Sequence, residues 1–498
     1  MRTQINDRIP ERNDAMKHVL TTGLVTGALV ALTACSSDRL NVPNYQNPTV
    51  GSITGDPVAA LPLLATGVLR DDRTDAPGYV LGLGILGREV YNYTPTEGRN
   101  TSGWLTSDVS NNTSFGGGAL WTGPYATLRD IFFTSAVLES ATSTQISDAK
   151  KNATRGFLHT TEAYSDLQLI NTRNDLGMVV QLNQDQNQLS AFVTRDSAFN
   201  YIVGELNKAQ TELTAAGAGT TFPFTFHSGY AGFTTADTYL KFNRALAARV
   251  NAYRASLGVG GCAVQDPVCY QTVLTNLSQS FLDTTRSLTL GVYQVFSAAA
   301  GDLANGNSNQ STSAIVAHFK ADSGIQLRAD GTKDLRFQNK VITIAAKGPS
   351  TPALGVQTTL DYSIYALRTD PIPIIRNEEL ILLRAEAEYF TGDHASALVD
   401  INEIRTKSGG LAPRAAFTSD TDFIDELLYN RRESLEFEGH RWIDMRRFGR
   451  LNQLTIDTNS PAYAGGGSPH VVVSRLPIPQ AECLQRAKAP ANLKAPGC

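Results

Sequence analysis

Several groups of residues in the 498-residue chain have types and spacings that chemistry can use. Gly82, Gly84 and Gly87 fit G-x-G-x-x-G, the glycine pattern of a dinucleotide cradle. That cradle needs a strand before it and a βαβ unit around it. The neighbouring segments read as helical, which argues against a nucleotide. The seven histidines, His18, His159, His227, His318, His394, His440 and His470, are scattered. No H-E-x-x-H zinc pattern and no G-x-S-x-G nucleophile elbow occurs, so they read as surface or satisfied core side chains. The densest charge cluster is Arg431, Arg432, Glu433, Glu436, Glu438, Arg441, Asp444, Arg446 and Arg447. Paired carboxylates suit glycoside hydrolysis. Here each acid has an arginine within helical reach, such as Arg432 with Glu436 at i,i+4. Such pairing lowers a carboxyl pKa, whereas a general acid needs it raised. The cluster is therefore expected to be a structural ion network.

Binding residues are sought among loop aromatics with polar neighbours. A sugar offers apolar C–H faces to an aromatic ring and hydroxyls to amides, carboxylates and guanidinium groups. Tyr91, Tyr93, Arg99, Asn100, Trp104 and Asp108 supply that mixture. Trp104 is the leading choice, because its Gly/Ser/Thr-rich surroundings hold little apolar sequence to bury it. Trp121 and Trp442 lie in helical segments and are assigned to the core.

The elements that must position these residues are mostly helical. Leu380, Leu383, Ala387 and Phe390 form one apolar face, and Ala397, Leu398, Ile401 and Ile404 a second, at helical spacing. Gly392 suits the turn between them. A third helix is expected to open at Thr421 or Asp422, carry Ile424, Leu427, Leu428 and Leu435, and end near Gly439. Two helices in a tight hairpin followed by another suggest tetratricopeptide-like pairs without a clean period. Further helices are expected over 57–69, 79–91, 121–138, 153–169, 192–213 and 239–257. The stretch 94–118 reads as long loops, and 288–370 as looser excursions with short strand-like runs at 341–344, near 362–367 and at 471–473.

Composition is ordinary: 42% hydrophobic, 18% charged, net charge -4. Without a basic run, nucleic acid is a poor partner. The first 34 residues read as a targeting segment. Lys17 and His18 precede an apolar run from Val19 to Leu32, shorter than the ~20 residues a membrane span needs. The run ends Leu32-Thr33-Ala34-Cys35, like a bacterial lipobox whose cysteine takes the lipid; either Met1 or Met16 can be the start. Residues 35–50 form a polar tether. Cys262 with Cys269, and Cys483 with Cys498, are close enough in sequence for two local disulfides in an oxidising compartment. Metal binding is the alternative, but neither pair has C-x-x-C spacing and no histidine lies beside them.

The C-terminal order of residues resembles a known family. It comprises Arg376, Glu379, Leu382, Ala385, Glu386 and Ala387; then Ala397, Leu398, Ile401, Asn402, Ile404, Arg405 and Gly409; then Arg431, Arg432, Glu433, Glu438, Gly439, Arg441, Trp442, Asp444, Arg446 and Arg447. With Leu476-Pro477-Ile478-Pro479 and Glu482, this resembles the C-terminal half of SusD/RagB-type nutrient-binding lipoproteins. Gly156–Leu167 and Arg244–Val250 extend the resemblance more loosely, giving an N-terminal part over 51–290 and a C-terminal part over 291–498. The resemblance implies a mostly α, surface-exposed outer-membrane lipoprotein without cofactor or catalysis. Such a protein binds oligosaccharide or peptide nutrients and passes them to a SusC-like TonB-dependent transporter. Two rivals are a secreted glycan-active hydrolase and a structural surface protein.

Lipidation is directly testable. Cys35→Ala is expected to move the protein from the membrane pellet to the soluble fraction, in a cell lacking any transporter partner. Retention in the pellet would refute an anchor at Cys35.

Overall fold

The computed structural model describes residues 55–105, 109–112, 115, 118, 120–183, 185, 188–308, 314–348, 357–454 and 470–498. The targeting segment, Cys35 and Asp108 lie outside them. No described helix is long and apolar enough to cross a membrane.

Helices dominate. The first, α1 (Pro57–Leu86), opens on Asp56, whose side chain accepts from the Ala59 amide. The sequence suggested two helices here, over 57–69 and 79–91. They are one, because the stripe Leu61, Ala65, Val68, Leu69, Ala76, Val80 and Leu83 stays buried past Pro62 and Pro77. A short α2 (Arg99–Leu105) stands where loops were expected. Then come α3 (Thr122–Ser140), α4 (Asp148–Arg173), α5 (Arg195–Ala216), α6 (Ala236–Leu257) and α7 (Pro267–Ser278). Helix α8 (Leu335–Lys340) precedes the C-terminal set α9 (Asn377–Phe390), α10 (His394–Lys407), α11 (Asp420–Ser434), α12 (Arg441–Arg447) and α13 (Gln480–Arg486). The N-cap of α11 is Ser419, not Thr421 or Asp422; its hydroxyl accepts from the Asp422 amide.

Strands are short and pair antiparallel in twos: β1 (Val90–Asn92) with β3 (Ile315–Ala317), β2 (Gly291–Gln294) with β6 (Ile372–Arg376), and β4 (Val341–Lys347) with β5 (Thr358–Tyr362). The run 471–473, expected to be extended, joins none of these sheets. Asp56–Cys498 forms one compact unit by its contacts.

The glycine pattern at the end of α1 has a packing role. A Cβ on Gly82 would sit 2.9 Å from the Trp104 ring, and one on Gly84 would sit 3.0 Å from both Phe437 and Val90. Glycine here lets α2 and the α11–α12 turn approach the α1 backbone. Among the described residues no strand precedes the pattern, which lies at the C-terminal end of a helix and not in a strand-to-helix turn, so it builds no dinucleotide cradle.

Charge, and not only apolar packing, joins the C-terminal helices. Arg447 reaches Glu386 at 2.7 Å and Asp444 at 2.8 Å, and Asp444 also accepts from Arg431 at 2.7 Å. All four side chains are buried. Arg249 of α6 holds Glu379 of α9 at 2.7 Å, and Arg376 holds Glu438 at 2.9 Å and pairs with Glu378. Asn402 both donates to and accepts from the Arg414 backbone, closing the loop after α10. Trp442 is buried and donates to the Val473 carbonyl at 2.8 Å.

Cys262–Cys269 and Cys483–Cys498 are bonded, with Cα separations of 6.1 and 5.5 Å. Closing loops of this size stabilises a fold by about 2–3 kcal/mol through chain entropy. The first bridge ties the loop after α6 to α7, and the second fastens the chain terminus to α13.

Burial opposes the charge of Asp444 and Glu379, but Arg431 and Arg447 on the one, and Arg249 on the other, outweigh it and hold each carboxyl down to about 2. A depressed folded pKa contributes stability above the unfolded value, lost as pH falls from about 4 toward 2. Asp444→Ala and Glu379→Ala each strand a buried arginine, which costs about 3–5 kcal/mol. Denaturant melts at pH 7 are expected to show that loss, and a smaller loss at pH 3. An equal loss at both would show that the carboxylate charge is not the stabilising element.

Candidate functional site

Two neighbouring cavities meet the chain at the start of α3. One, of about 290 Å3, lies against α1 and is lined by Asp75, Tyr79, Ile85, Asn100, Trp104, Phe115, Leu120 and Gln168 among others. The other, of about 490 Å3, is lined by Trp121, Tyr125, Arg129, Asn183, Gln188, Glu482, Gln485 and Arg486, with Leu182 and Pro479. The turn between them carries Leu120 at φ +54, a left-handed conformation unusual for a branched side chain. Backbone strain of this kind tends to accumulate at functional sites.

The larger cavity is built from α3, the segment after α4, and α13. Trp121, Tyr125 and Arg129 recur every four residues and share one face of α3. Arg173 stands over the Trp121 ring at 5.0 Å, and Tyr125 tilts against that ring at 4.8 Å. The Tyr125 hydroxyl is fixed from both sides, donating to the Val179 carbonyl and accepting from its amide, each at 3.0 Å. Arg129 donates to the Asn183 carbonyl at 2.8 Å, and Asn183 donates to the Gln188 carbonyl at 3.3 Å. Arg486 bonds the Ser190 carbonyl at 2.7 Å and pairs with Glu482 at 2.5 Å. The result is an aromatic wall rimmed by amides, a carboxylate and two guanidinium groups.

In the smaller cavity, Asp75 lies so close to Gly123 that a Cβ there would fall 1.9 Å from its carboxylate. Burial, helped by nearby Asp71, pushes Asp75 up to about 6.

The loop residues singled out from sequence divide. Tyr91 and Tyr93 are buried, not exposed: Tyr91 pairs with Val316 in the β1–β3 sheet and stacks on Tyr93 at 5.3 Å. Trp104 is 6% exposed and folds back onto α1 over Gly82. It is core packing that also walls a cavity, not a free stacking platform. Asn100 lines the same cavity. Arg99 is exposed and bonded to Glu97 at 2.6 and 2.7 Å. Asp108 lies outside the described residues. Sequence reasoning missed Tyr125, Arg129, Asn183 and Gln485. The four-residue recurrence of Trp121, Tyr125 and Arg129 was the available signal, and assigning Trp121 to the core hid it. Trp121 is indeed buried, and its edge still meets the cavity.

A third, polar cavity of about 150 Å3 is lined by Arg88, Glu89, His318, Lys320, Arg432, Glu433, Glu436 and Arg441. Here the expected pairing fails. Arg432 bonds Glu433 at 2.5 Å and not Glu436. Burial pushes Glu436 up to about 7 and Glu89 to about 8, each raised further by a neighbouring glutamate. The helical i,i+4 rule missed this because α11 ends at Ser434, so Glu436 leaves the helix before it can face Arg432.

Comparison with known proteins adds to this geometry. Residues 355–488 match the family model described as "SusD family". A SusD superfamily protein from Bacteroides vulgatus superposes with a TM-score of 0.61 at 16% identity, covering 86% of this chain and 97% of that one. The chain therefore carries the SusD-family sequence pattern over residues 355–488 and shares the fold of SusD-superfamily structures. NanU of B. fragilis has the same fold, with a TM-score of 0.60 at 14% identity over 83% of this chain and 94% of NanU. A third structure, a Bacteroides vulgatus protein whose description links it to the outer membrane and to nutrient binding, gives 0.59 at 14% identity over 86% and 94%. No curated protein matches the chain. At these identities the structures share the fold, and the SusD/RagB motif residues Glu379, Glu386, Arg431, Asp444 and Arg447 are the buried ion pairs described above.

The raised carboxyls of the third cavity set a pH dependence. With a folded pKa of about 8 against 4.5 for the free side chain, Glu89 favours the fold fully below 4.5, and that contribution is lost as pH rises through 8. Glu89→Gln is therefore expected to raise the melting temperature at pH 8.5 and to leave it nearly unchanged at pH 4.5. Equal shifts at both values would place the effect in packing.

Proposed function

We propose that this chain is a lipid-anchored outer-membrane protein that binds oligosaccharide and hands it to a SusC-like TonB-dependent transporter. The match of residues 355–488 to the SusD family, with the fold shared with SusD-superfamily structures, supports the role. The observation that carries the ligand class is the cavity at Trp121, Tyr125 and Arg129. It sets an aromatic wall beside Asn183, Gln188, Gln485 and Glu482, the mixture that a sugar's apolar faces and hydroxyls need. The start of α3 lies between this cavity and the one holding Asn100 and Trp104. Capture is equilibrium binding, with release by movement of the transporter and without bond-making. A peptide is the second ligand class. Residues 51–290 and 291–498 serve as the N-terminal and C-terminal parts of one binding protein.

The hydrolase reading has one observation in its favour, the raised Glu89 and Glu436 in a shared cavity. A glycosidase needs one acid protonated and its partner ionised. Here burial raises both, and guanidinium groups crowd the same space, so the pair lacks that division of roles.

Calorimetric titration of oligosaccharide and peptide panels tests the proposal. A glycan is expected to bind, Arg129→Ala and Asn183→Ala to weaken it several-fold, and melting temperatures to stay nearly constant. Affinity unchanged in both variants would move the site elsewhere. Turnover of any glycan in the panel would establish the hydrolase instead.

A further inference from the structure

Helices α4 and α5 pack face to face, and the contact between them is unusually acidic. His159, Glu162 and Asp166 lie on one face of α4, three and four residues apart. Tyr201, Glu205, Lys208 and Glu212 answer them from α5. His159 Nδ1 lies 2.7 Å from Glu205 Oε2 and 3.7 Å from Glu162 Oε2, and its Nε2 lies 3.5 Å from Glu212. The 2.7 Å contact lacks hydrogen-bond alignment, and Nδ1 makes no other hydrogen bond. One ligand atom from each of His159, Glu162 and Glu205 falls within 4.8 Å of the others.

A second observation is independent of that triad. Asp166, one helical turn beyond Glu162, is 0% exposed, and neither of its carboxylate oxygens has a hydrogen-bond partner. Its interacting charged neighbours are Glu162 and Glu205, both of its own sign. A buried carboxylate without a partner is costly. The cations nearby do not balance the group. Lys208 takes Glu205 Oε1 at 2.7 Å, and Arg155 is committed to Glu139 at 2.6 Å. Four carboxylates thus face one ammonium and one imidazole.

We propose that His159, Glu162 and Glu205, backed by Asp166, form a binding site for a divalent transition-metal ion of the zinc class between α4 and α5. An imidazole ligand selects zinc-like ions over calcium, which takes oxygen. Metal–ligand distances of about 2.0–2.2 Å require the His159–Glu205 pair to part by less than about 1 Å, within reach of a glutamate rotamer. Tyr201 donates to Glu162 at 2.6 Å, the kind of outer-shell bond that orients a metal ligand. Glu162 and Tyr201 also line a cavity of about 370 Å3, which supplies an entry path. Binding places a doubly charged ion where the acids are in excess and releases any proton held on His159 to solvent.

The test uses the full chain, stripped with a chelator and titrated with Zn2+ by calorimetry. One equivalent is expected to bind and to raise the melting temperature. His159→Ala is expected to weaken binding at least about tenfold, whereas His394→Ala, which removes an exposed histidine, leaves it unchanged. Undiminished binding in His159→Ala, or no binding by the unaltered chain, overturns the proposal. Should His159→Ala fail to fold, zinc X-ray absorption on the unaltered chain decides. Imidazole scattering with oxygen neighbours supports the site, and an oxygen-only or multi-imidazole shell overturns it.

Discussion

The pairing of buried arginines with buried carboxylates is the constraint on which the rest of this structure rests. Glu379 and Glu386 lie on the inner face of α9, Arg249 comes from α6, and Arg431, Asp444 and Arg447 come from α11 and α12. Desolvating such groups is expensive, and only close geometry with further hydrogen bonds offsets it. The structure meets that demand: Tyr270 donates to Glu386 at 2.8 Å, and Ser434 donates to Glu378 at 2.7 Å. The turn between α11 and α12 is placed by these pairs. Its Phe437, with φ +57, packs on Gly84 of α1 and donates its amide to Glu89. Charge pairing in the C-terminal helices thereby fixes the end of α1, and Gly82 on α1 fixes Trp104 beside the cavities.

Much of the fold was legible because helical periodicity is a local signal. The faces of α9 and α10 were visible in Leu380, Leu383, Ala397 and Ile401. The cysteine pairs were visible in spacing alone. What escaped depended on distant partners. Separate helices were expected over 57–69 and 79–91, yet burial of one continuous stripe makes them one. Tyr91 looked like a loop aromatic because its strand partner, Val316, lies 225 residues later in the sequence. Trp104 seemed to lack apolar company, since that company is Gly82 and Leu120, which sequence does not place beside it.

The site was legible only in part for the same reason. Its lining comes from α3, the segment after α4, and α13, near the far end of the chain. Pro479 and Glu482 drew attention as pieces of a closing motif, with no indication that they wall a cavity. The assignment of Glu436 to Arg432 failed on a single residue of helix end: periodicity rules hold only while the helix does.

The reach of the ion pairs also bears on how the chain acquires its structure. Arg249 and Glu379 are separated by 130 positions in sequence, and Arg446 bonds the Asn171 carbonyl across 275. Contacts of such separation must wait for late-synthesised segments and slow folding relative to local pairing. Residues 355–488, although they carry the family's sequence signature, leave Glu379 without Arg249 and Arg446 without the Asn171 carbonyl when taken alone. An isolated C-terminal fragment would hold the Glu379 carboxylate without its arginine. The nascent chain, for its part, cannot close the Arg249–Glu379 pair until α9 has emerged, so α6 carries a buried guanidinium without its partner through about 130 further residues of synthesis.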